Sequence, residues 1–236
     1  MKSISNVSLF VPTLVLALAC MTIPSANANL VGTVPLLPTQ TVFPGFVPPG
    51  TNPGTLLASE SESFSFTTTG GTTSGLLDSA VYNDGGTLDF YYQVFNNATS
   101  ASSLARMTAT SFVGFTTGTA VGFRVDGSSL TGTPFVDGSV PPVTADMNST
   151  GSVIGFSFNP PDSAKIAPGS VSTVLVISTD ATNFKAGNAS VIDGGTATVA
   201  SYQPSSAVPE PRFYSLLLFA GIVAGAVFYR KRFRAA

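Results

Sequence analysis

The sequence lacks the residue types on which much enzyme chemistry depends. Its 236 residues include no histidine, no tryptophan and a single cysteine, and only 9% of them are charged. Without histidine there is no Ser-His-Asp triad, no Cys-His pair and no imidazole ligand for a metal ion. A single cysteine cannot form an intramolecular disulfide. Serine and threonine are abundant instead, with 29 and 28 residues. These absences favour a non-enzymatic protein, for which we expect no cofactor.

The first 28 residues are typical of a secretory signal. Lys2 supplies the positive charge, and residues 9–21 form an apolar run that is too short to span a bilayer. Ala26 and Ala28 form a small-x-small cleavage site, so we expect signal peptidase to release a mature chain that starts at Asn29. Two alternatives stay open: an uncleaved N-terminal anchor, and a lipoprotein signal that is acylated at Cys20.

The C-terminal end combines three features in order. The tetrapeptide Val208-Pro209-Glu210-Pro211 precedes an uncharged apolar stretch at 213–229, which reaches the short limit of a membrane-spanning helix. A basic cluster follows, made of Arg230, Lys231, Arg232 and Arg234. Basic residues directly after a span stay on the cytoplasmic side of the membrane. The predicted topology therefore places the body of the chain outside the membrane and the basic end inside.

This tail, together with the N-terminal signal, resembles the PEP-CTERM sorting signal of bacterial surface proteins, which is also catalogued as an ice-binding-protein C-terminal domain. The resemblance implies recognition by an exosortase-type membrane protease, cleavage near residues 208–211, and release to the cell surface or the extracellular matrix. The two prolines agree with it, because they keep the motif extended and outside the following helix. The alternatives are an ordinary single-pass anchor with a proline-rich stalk, and helix pairing through Gly221 and Gly225.

The charges divide the chain in the same way. Between residues 29 and 211, twelve acidic residues stand against four basic ones, a net charge of −8, whereas the tail from Arg212 onward carries +5. An acidic body is unsuited to nucleic acid and to anionic lipid surfaces, because like charges repel. We therefore expect no nucleic-acid partner, and contact with the membrane only through the tail.

The body predicts a single all-β domain, a β-sandwich or a jelly roll. Residues 29–58 are dense in proline and glycine and predict an irregular, extended arm; the domain is expected over 59–204, and the sorting tail over 205–236. The clearest signal is a hairpin, because apolar runs at 76–82 and 87–95 flank an Asp-Gly turn. The second run carries aromatic residues on both faces, which predicts a central strand packed on both sides.

Eight to ten short strands are expected in all, with turns every 8 to 15 residues. The other predicted strands lie within 61–68, 104–113, 121–125, 153–158, 171–178 and 189–200, and the start of the second of these also fits one or two helical turns. Residues 74–204 resemble bodies that precede this kind of tail, through the stretches Asp84–Val94, Ala181–Phe184 and Gly187–Gly195. That resemblance implies no activity.

Carboxylates are the only plausible catalytic acids or bases left. The closest pairs are Glu60 with Glu62 and Asp84 with Asp89, and glycoside hydrolases do use two carboxylates. Most of these acids lie beside glycine or in turns, where aspartate accepts local backbone hydrogen bonds. We therefore expect no catalytic residue among them.

The main hypothesis is a non-enzymatic exported surface or matrix protein; the alternative is a carbohydrate- or calcium-binding surface module, adhesive or ice-binding-like. Extracellular polysaccharide is the expected partner in the carbohydrate case. Calcium would use the aspartates that precede glycine, which are Asp84, Asp126, Asp137 and Asp193. Sugars would stack on Tyr82, Tyr91, Tyr92 or Tyr202, and ice would meet the threonines near 67–69 and 196–198. Asn97, Asn148 and Asn188 match glycosylation acceptors.

Overall fold

A computed structural model describes residues 32–48, 51–122 and 135–206. The predicted signal segment, and the tail from residue 207 onward, lie outside the described residues. Within them the chain is all-β: it has two antiparallel sheets and no α-helix, an arrangement consistent with a β-sandwich. The described part of the chain holds no helix of the length and apolarity needed to cross a membrane.

Thirteen strands are described, together with one turn of 3₁₀ helix at Asp162–Ala164. The strands are β1 (Val34–Leu36), β2 (Thr41–Val42), β3 (Gly45–Val47), β4 (Thr55–Thr68), β5 (Gly71–Asp84), β6 (Thr87–Asn96), β7 (Arg106–Thr110), β8 (Thr117–Gly122), β9 (Thr144–Met147), β10 (Val153–Ser157), β11 (Val174–Thr179), β12 (Asn183–Ile192) and β13 (Thr196–Ser205).

The larger sheet has the order β1-β8-β11-β6-β5-β4. The seventh strand, β3, also pairs with β8: β1 pairs with residues 117–119 of β8, and β3 with residues 120–122. The smaller sheet has the order β13-β12-β7-β10-β9-β2. Neighbouring strands are antiparallel except for β3 and β8, which run parallel. The long strands β4, β5 and β6 are consecutive in the chain and adjacent in the sheet, so one side of the larger sheet is a meander.

The predicted hairpin is confirmed as β5 and β6. Tyr82 pairs with Asp89, and the ladder ends where Asp84 pairs with Thr87. Gly85 and Gly86 form the turn with φ of 64° and 108°, a backbone conformation that glycine adopts at little cost. The Gly86 amide donates to the Asn83 side chain at 2.7 Å, which closes the turn.

The main core lies between the two sheets, because residues of both contribute to one buried cluster. Alternate residues of β6 point into it, as predicted for a central strand: Leu88, Phe90, Tyr92 and Val94 are each at most 1% exposed. Facing them from the smaller sheet are Met107, Ala109, Ile154, Phe156, Ala189 and Val191. Each large apolar side chain buried in this way contributes about 1.5–3 kcal/mol.

A second buried cluster covers the outer face of the larger sheet. Its members are Val47, Ala80, Tyr82, Tyr91, Ala120, Phe135, Val174 and Val176. β6 is therefore buried on both faces, which confirms the prediction made from its aromatic residues. The arm contributes to this layer through Val47, and the segment after residue 134 contributes through Phe135.

The structure differs from the sequence expectation in the number of strands, since thirteen are described where eight to ten were expected, and in the arm. The 29–58 stretch, expected to be irregular, contributes β1, β2 and β3 to the edges of the two sheets. Pro35 fits there because an edge strand needs hydrogen bonds on one side only. The strand expected within 104–113 is confirmed as β7 over its helical alternative, and β9 at Thr144–Met147 was not predicted.

Candidate functional site

The residues predicted to direct export stay predictions, because all of them lie outside the described part of the chain. They are Ala26 and Ala28 of the signal, Val208, Pro209, Glu210 and Pro211 of the motif, and Arg230, Lys231, Arg232 and Arg234 of the basic end. Any site within the body must therefore be built from the remaining titratable groups, cavities and faces of the two sheets.

The first carboxylate pair, Glu60 and Glu62, shares one face of the edge strand β4, as the two-residue spacing requires. Ser79, opposite Glu60 in the ladder, donates a hydrogen bond of 3.3 Å to its carboxylate. Burial raises the pKa of Glu60, the Ser79 hydroxyl opposes the rise, and the charge of Glu62 adds to it. Neither glutamate lines the end pocket defined below.

The second carboxylate pair belongs to a cluster that the sequence did not reveal in full. Asp84, Asp89, Tyr82 and Tyr91 lie on the outer face of the β5–β6 hairpin, and we call this group the Asp/Tyr cluster. Asp89 lies opposite Tyr82, and Asp84 and Tyr91 are their diagonal neighbours, with a typical spacing of about 7–8 Å. The two tyrosine rings contact each other, with centroids 4.8 Å apart.

Among the acids of the described residues, Asp89 has the most perturbed pKa. It has 0% exposure, and no described residue makes a hydrogen bond of standard geometry to either carboxylate oxygen. Burial, reinforced by the charge of Asp84 and opposed by the Thr179 backbone amide, raises the pKa of Asp89 to about 8. Burial and the charges of Asp89, Tyr82 and Asp84 likewise raise the pKa of Tyr91. The four groups thus form one electrostatic unit.

The other aspartates considered for calcium are not gathered with this pair. Asp193 accepts an ion pair of 3.1 Å from Lys165, which also contacts Asp162 at 3.1 Å. Asp137 is exposed in the loop before β9, and Asp126 lies outside the described residues. In the described ranges, no three side chains of Asp, Glu, His or Cys converge as metal ligands.

Three of the tyrosines considered as sugar platforms are unsuited to that role because they are buried. Tyr82, Tyr91 and Tyr92 are 2%, 4% and 1% exposed, and the Tyr92 hydroxyl donates to the Tyr202 carbonyl at 3.1 Å. Tyr202 is partly buried against Phe184 in an edge-to-face contact, with ring centroids 5.6 Å apart. Of the four tyrosines, Tyr202 alone keeps a partly exposed ring.

A pocket of about 270 Å³ opens at one end of the two sheets, and we call it the end pocket. Three segments that are distant in sequence form it: Leu36–Pro38 of the arm, 112–117 before and in β8, and Met147–Gly151 after β9. Its lining is apolar apart from the Thr116, Thr117 and Thr150 side chains and backbone groups, and it includes no charged side chain.

The backbone around the end pocket is strained. Thr39 and Ser111, which directly adjoin its lining, have φ of 67° and 74°, the left-handed region that side chains with a Cβ rarely adopt. They are the two non-glycine residues with positive φ in the described part of the chain. Their amides are engaged, since Thr39 donates to the Met147 carbonyl at 3.1 Å and Ser111 to the Ser152 carbonyl at 2.6 Å. Strain of this kind is often retained at binding sites.

An ion pair crosses the outer face of the smaller sheet. Arg106 of β7 reaches over Gly155 of β10 to Asp146 of β9 and also donates to the Ser157 hydroxyl at 2.5 Å. The pair is partly exposed, with 28% side-chain exposure on each partner. The ion pair connects β7 to β9 across this face, and neither partner lines the end pocket.

The sequence analysis identified the acids but not their surroundings. An aspartate on a strand buried on both faces was the available signal for the Asp/Tyr cluster, since such a position usually holds an apolar residue. No local signal pointed to the end pocket, because its three segments are brought together only by sheet pairing.

Comparisons with known proteins assign the body to no group. The chain matches no family model, no curated protein and no solved structure.

Proposed function

We propose that this chain is an exported, non-enzymatic protein of the bacterial cell surface or extracellular matrix. In this proposal, signal peptidase removes residues 1–28 and the tail holds the chain transiently in the inner membrane. An exosortase-type protease then cleaves near Pro209. The observation that carries the proposal is the order of the motif 208–211, the apolar stretch 213–229 and the basic end 230–234 behind a signal segment.

The body supports this proposal by its composition. Only 9% of all residues are charged, and serine and threonine are the most abundant polar residues, which suits a protein embedded in a hydrated matrix. We further propose that the body is a single sandwich domain with a jelly-roll-like course of the chain, self-sufficient without disulfides at its size. An acidic domain of this kind would remain separate from the anionic membrane surface after release.

The proposal is tested by changing the motif and following the protein's location. The double variant Pro209→Ala, Glu210→Ala in the full chain should remain in the membrane fraction of the host at the uncleaved mass. The unchanged chain should accumulate outside the cell in a shortened form. Ser206→Ala is the matched control, since it changes an exposed residue just before the motif and should be sorted like the unchanged chain.

Two results would contradict the sorting proposal. One is release of the double variant at the same rate and mass as the unchanged chain. The other is a host lacking exosortase-type proteases that still shortens the chain at the same position. In either case the tail would act as a plain anchor, or would be removed by general proteolysis.

A second candidate function, the binding of a neutral glycan, is favoured by the end pocket. Its volume of about 270 Å³ suits one sugar unit, and its lining combines Phe115 with threonine hydroxyls and no charge. Sugar recognition commonly pairs an apolar ring face with a few directed hydrogen bonds. The ligand class would be the uncharged end of a matrix polysaccharide.

Glycan binding is tested with an array of neutral oligosaccharides and the full chain. Phe115→Ala should abolish any specific binding, whereas Tyr202→Phe, an aromatic change outside the pocket, should leave it intact. Failure of the unchanged chain to bind any neutral glycan, or retention of binding by Phe115→Ala, would remove this function without affecting the sorting proposal.

A further inference from the structure

The Asp/Tyr cluster contains a buried acid that is paired with no basic side chain of the described structure. Asp89 lies on β6 with 0% exposure; no described residue makes a hydrogen bond of standard geometry to either carboxylate oxygen, and the Thr179 backbone amide offsets its burial only in part. A buried carboxylate without partners is costly, and such groups in native proteins are paired, hydrogen-bonded or bound to a metal ion. The remaining members of the cluster, Asp84, Tyr82 and Tyr91, contribute further oxygen atoms on the same face.

The basic side chains of the described residues do not supply the missing positive charge. Arg106 is paired with Asp146, and Lys165 with Asp162 and Asp193. Lys185 is exposed on β12, in the other sheet. A positive partner for Asp89 must therefore come from solution or from Arg124, which lies outside the described ranges.

We infer that the Asp/Tyr cluster binds a hard divalent cation, Ca²⁺, through the carboxylates of Asp89 and Asp84. The donors are all oxygen atoms, which hard cations prefer, and no sulfur or imidazole is present to favour a transition metal. Two carboxylates balance the charge of the ion. Calcium takes six to eight oxygen ligands in flexible geometry, whereas Mg²⁺ requires a near-ideal octahedron, so an irregular set of carboxylate, phenol and water oxygens favours calcium.

The position of the two aspartates also provides an entry path. Asp84 is half-buried at the end of β5, beside the Gly85–Gly86 turn, whereas Asp89 lies two ladder positions further from the turn. An ion entering from the turn meets Asp84 first and then Asp89. The inference goes beyond the proposed export function and stands or fails independently of it.

The test measures the melting temperature of the full chain, purified in mild detergent and stripped with chelator. Addition of 5 mM CaCl₂ should raise the melting temperature by about 3 °C or more, and MgCl₂ at the same concentration should raise it less. Equilibrium dialysis with radioactive calcium should give about one bound ion per chain. No shift together with no bound calcium would overturn the inference.

Two variants locate the ion. Asp89→Asn should abolish both the shift and the binding, while the metal-free variant should be at least as stable as the unchanged chain, because it removes a buried acid whose ionised form is costly. Asp180→Asn is the matched control: it removes one carboxylate charge outside the cluster, keeps an oxygen that can accept from the Thr116 amide, and should leave calcium binding unchanged. Calcium binding retained by Asp89→Asn would refute the assignment to this cluster.

A third variant tests whether Arg124, and not a metal ion, neutralises the cluster. It remains informative if Asp89→Asn does not fold. Arg124→Gln should leave the calcium-induced shift of the unchanged chain intact. If the unchanged chain shows no shift, and Arg124→Gln alone gains one, the arginine neutralises the cluster and the inferred native metal site is wrong. Asp84→Asn should weaken calcium binding at least tenfold.

Discussion

Arg106 donates two hydrogen bonds to the carboxylate of Asp146, from Nη1 at 2.6 Å and from Nη2 at 2.7 Å. The guanidinium can reach Asp146 because Gly155 lies beneath it, and a Cβ at that position would overlap the guanidinium. Two strands of the smaller sheet, β7 and β9, are thus tied across the strand between them. The ion pair therefore depends on the absence of a side chain at Gly155.

Gly155→Ala should therefore destabilise the protein by about 1 kcal/mol, because it displaces the bidentate pair. In the Arg106→Ala background the same change should cost nothing or stabilise slightly, since alanine is otherwise favoured over glycine within a strand. Urea unfolding of the four proteins of this double-mutant cycle measures the coupling. Equal effects of Gly155→Ala in both backgrounds would show that the contact is incidental.

Gln93 fixes the segment before β9 onto the larger sheet. Its side chain donates to the carbonyls of Val136 and Ser172 at 2.8 and 2.9 Å and accepts from the Val136 amide at 2.9 Å, with no exposed surface. Gln93→Leu leaves these backbone groups unpaired and should cost about 2–4 kcal/mol in the free energy of unfolding. The control, Gln40→Leu, removes an exposed acceptor and should cost less than about 1 kcal/mol.

The buried acid Asp89 makes stability dependent on pH in chelator solution. Its pKa is about 8 in the folded chain against an ordinary value of 3.8. Between pH 3.8 and 8, the folded state therefore keeps a proton on Asp89 that the unfolded state releases. The contribution of Asp89 to the free energy of unfolding is therefore fully present below about pH 4. It falls as the pH rises towards 8 and levels off above pH 8. Urea unfolding at pH 5, 6.5 and 8.5 should show a fall of a few kcal/mol that Asp89→Asn lacks. A rise in stability over this range, or an identical fall in the variant, would contradict the assignment.

The left-handed backbone conformation of Thr39, beside the end pocket, reduces the stability of the fold. Thr39→Gly should raise the free energy of unfolding by about 0.5–1 kcal/mol, because glycine adopts a φ of 67° without the Cβ penalty. Thr41→Gly, in the extended strand β2, should lower it. Thermal unfolding distinguishes the two. If Thr39→Gly is also destabilising, side-chain contacts of Thr39 outweigh its strain.

How far the sequence predicts this fold depends on whether the determining interactions are local. The Asp84-Gly85 turn and the alternation in β6 are local signals, so the hairpin and the central strand were predictable. The edge strands β1 and β2 have three and two residues, and their pairing depends on partners about 80 to 105 residues away along the chain. No local pattern specifies such edge strands.

The same distinction holds for the candidate sites. The acids Asp84 and Asp89 were identified as a pair, but their burial and the approach of Tyr91 follow from the layer that covers the larger sheet. The end pocket combines Pro38, Phe115 and Gly151, and only the three-dimensional fold makes these residues neighbours.

The central claim, export followed by cleavage at the tail, is tested most directly by the mass of the C-terminal peptide of the native protein in membrane and extracellular fractions. The account predicts an extracellular form whose last residue lies near Pro209 or Glu210. A chain that ends at Ala236 and is confined to the membrane would contradict it.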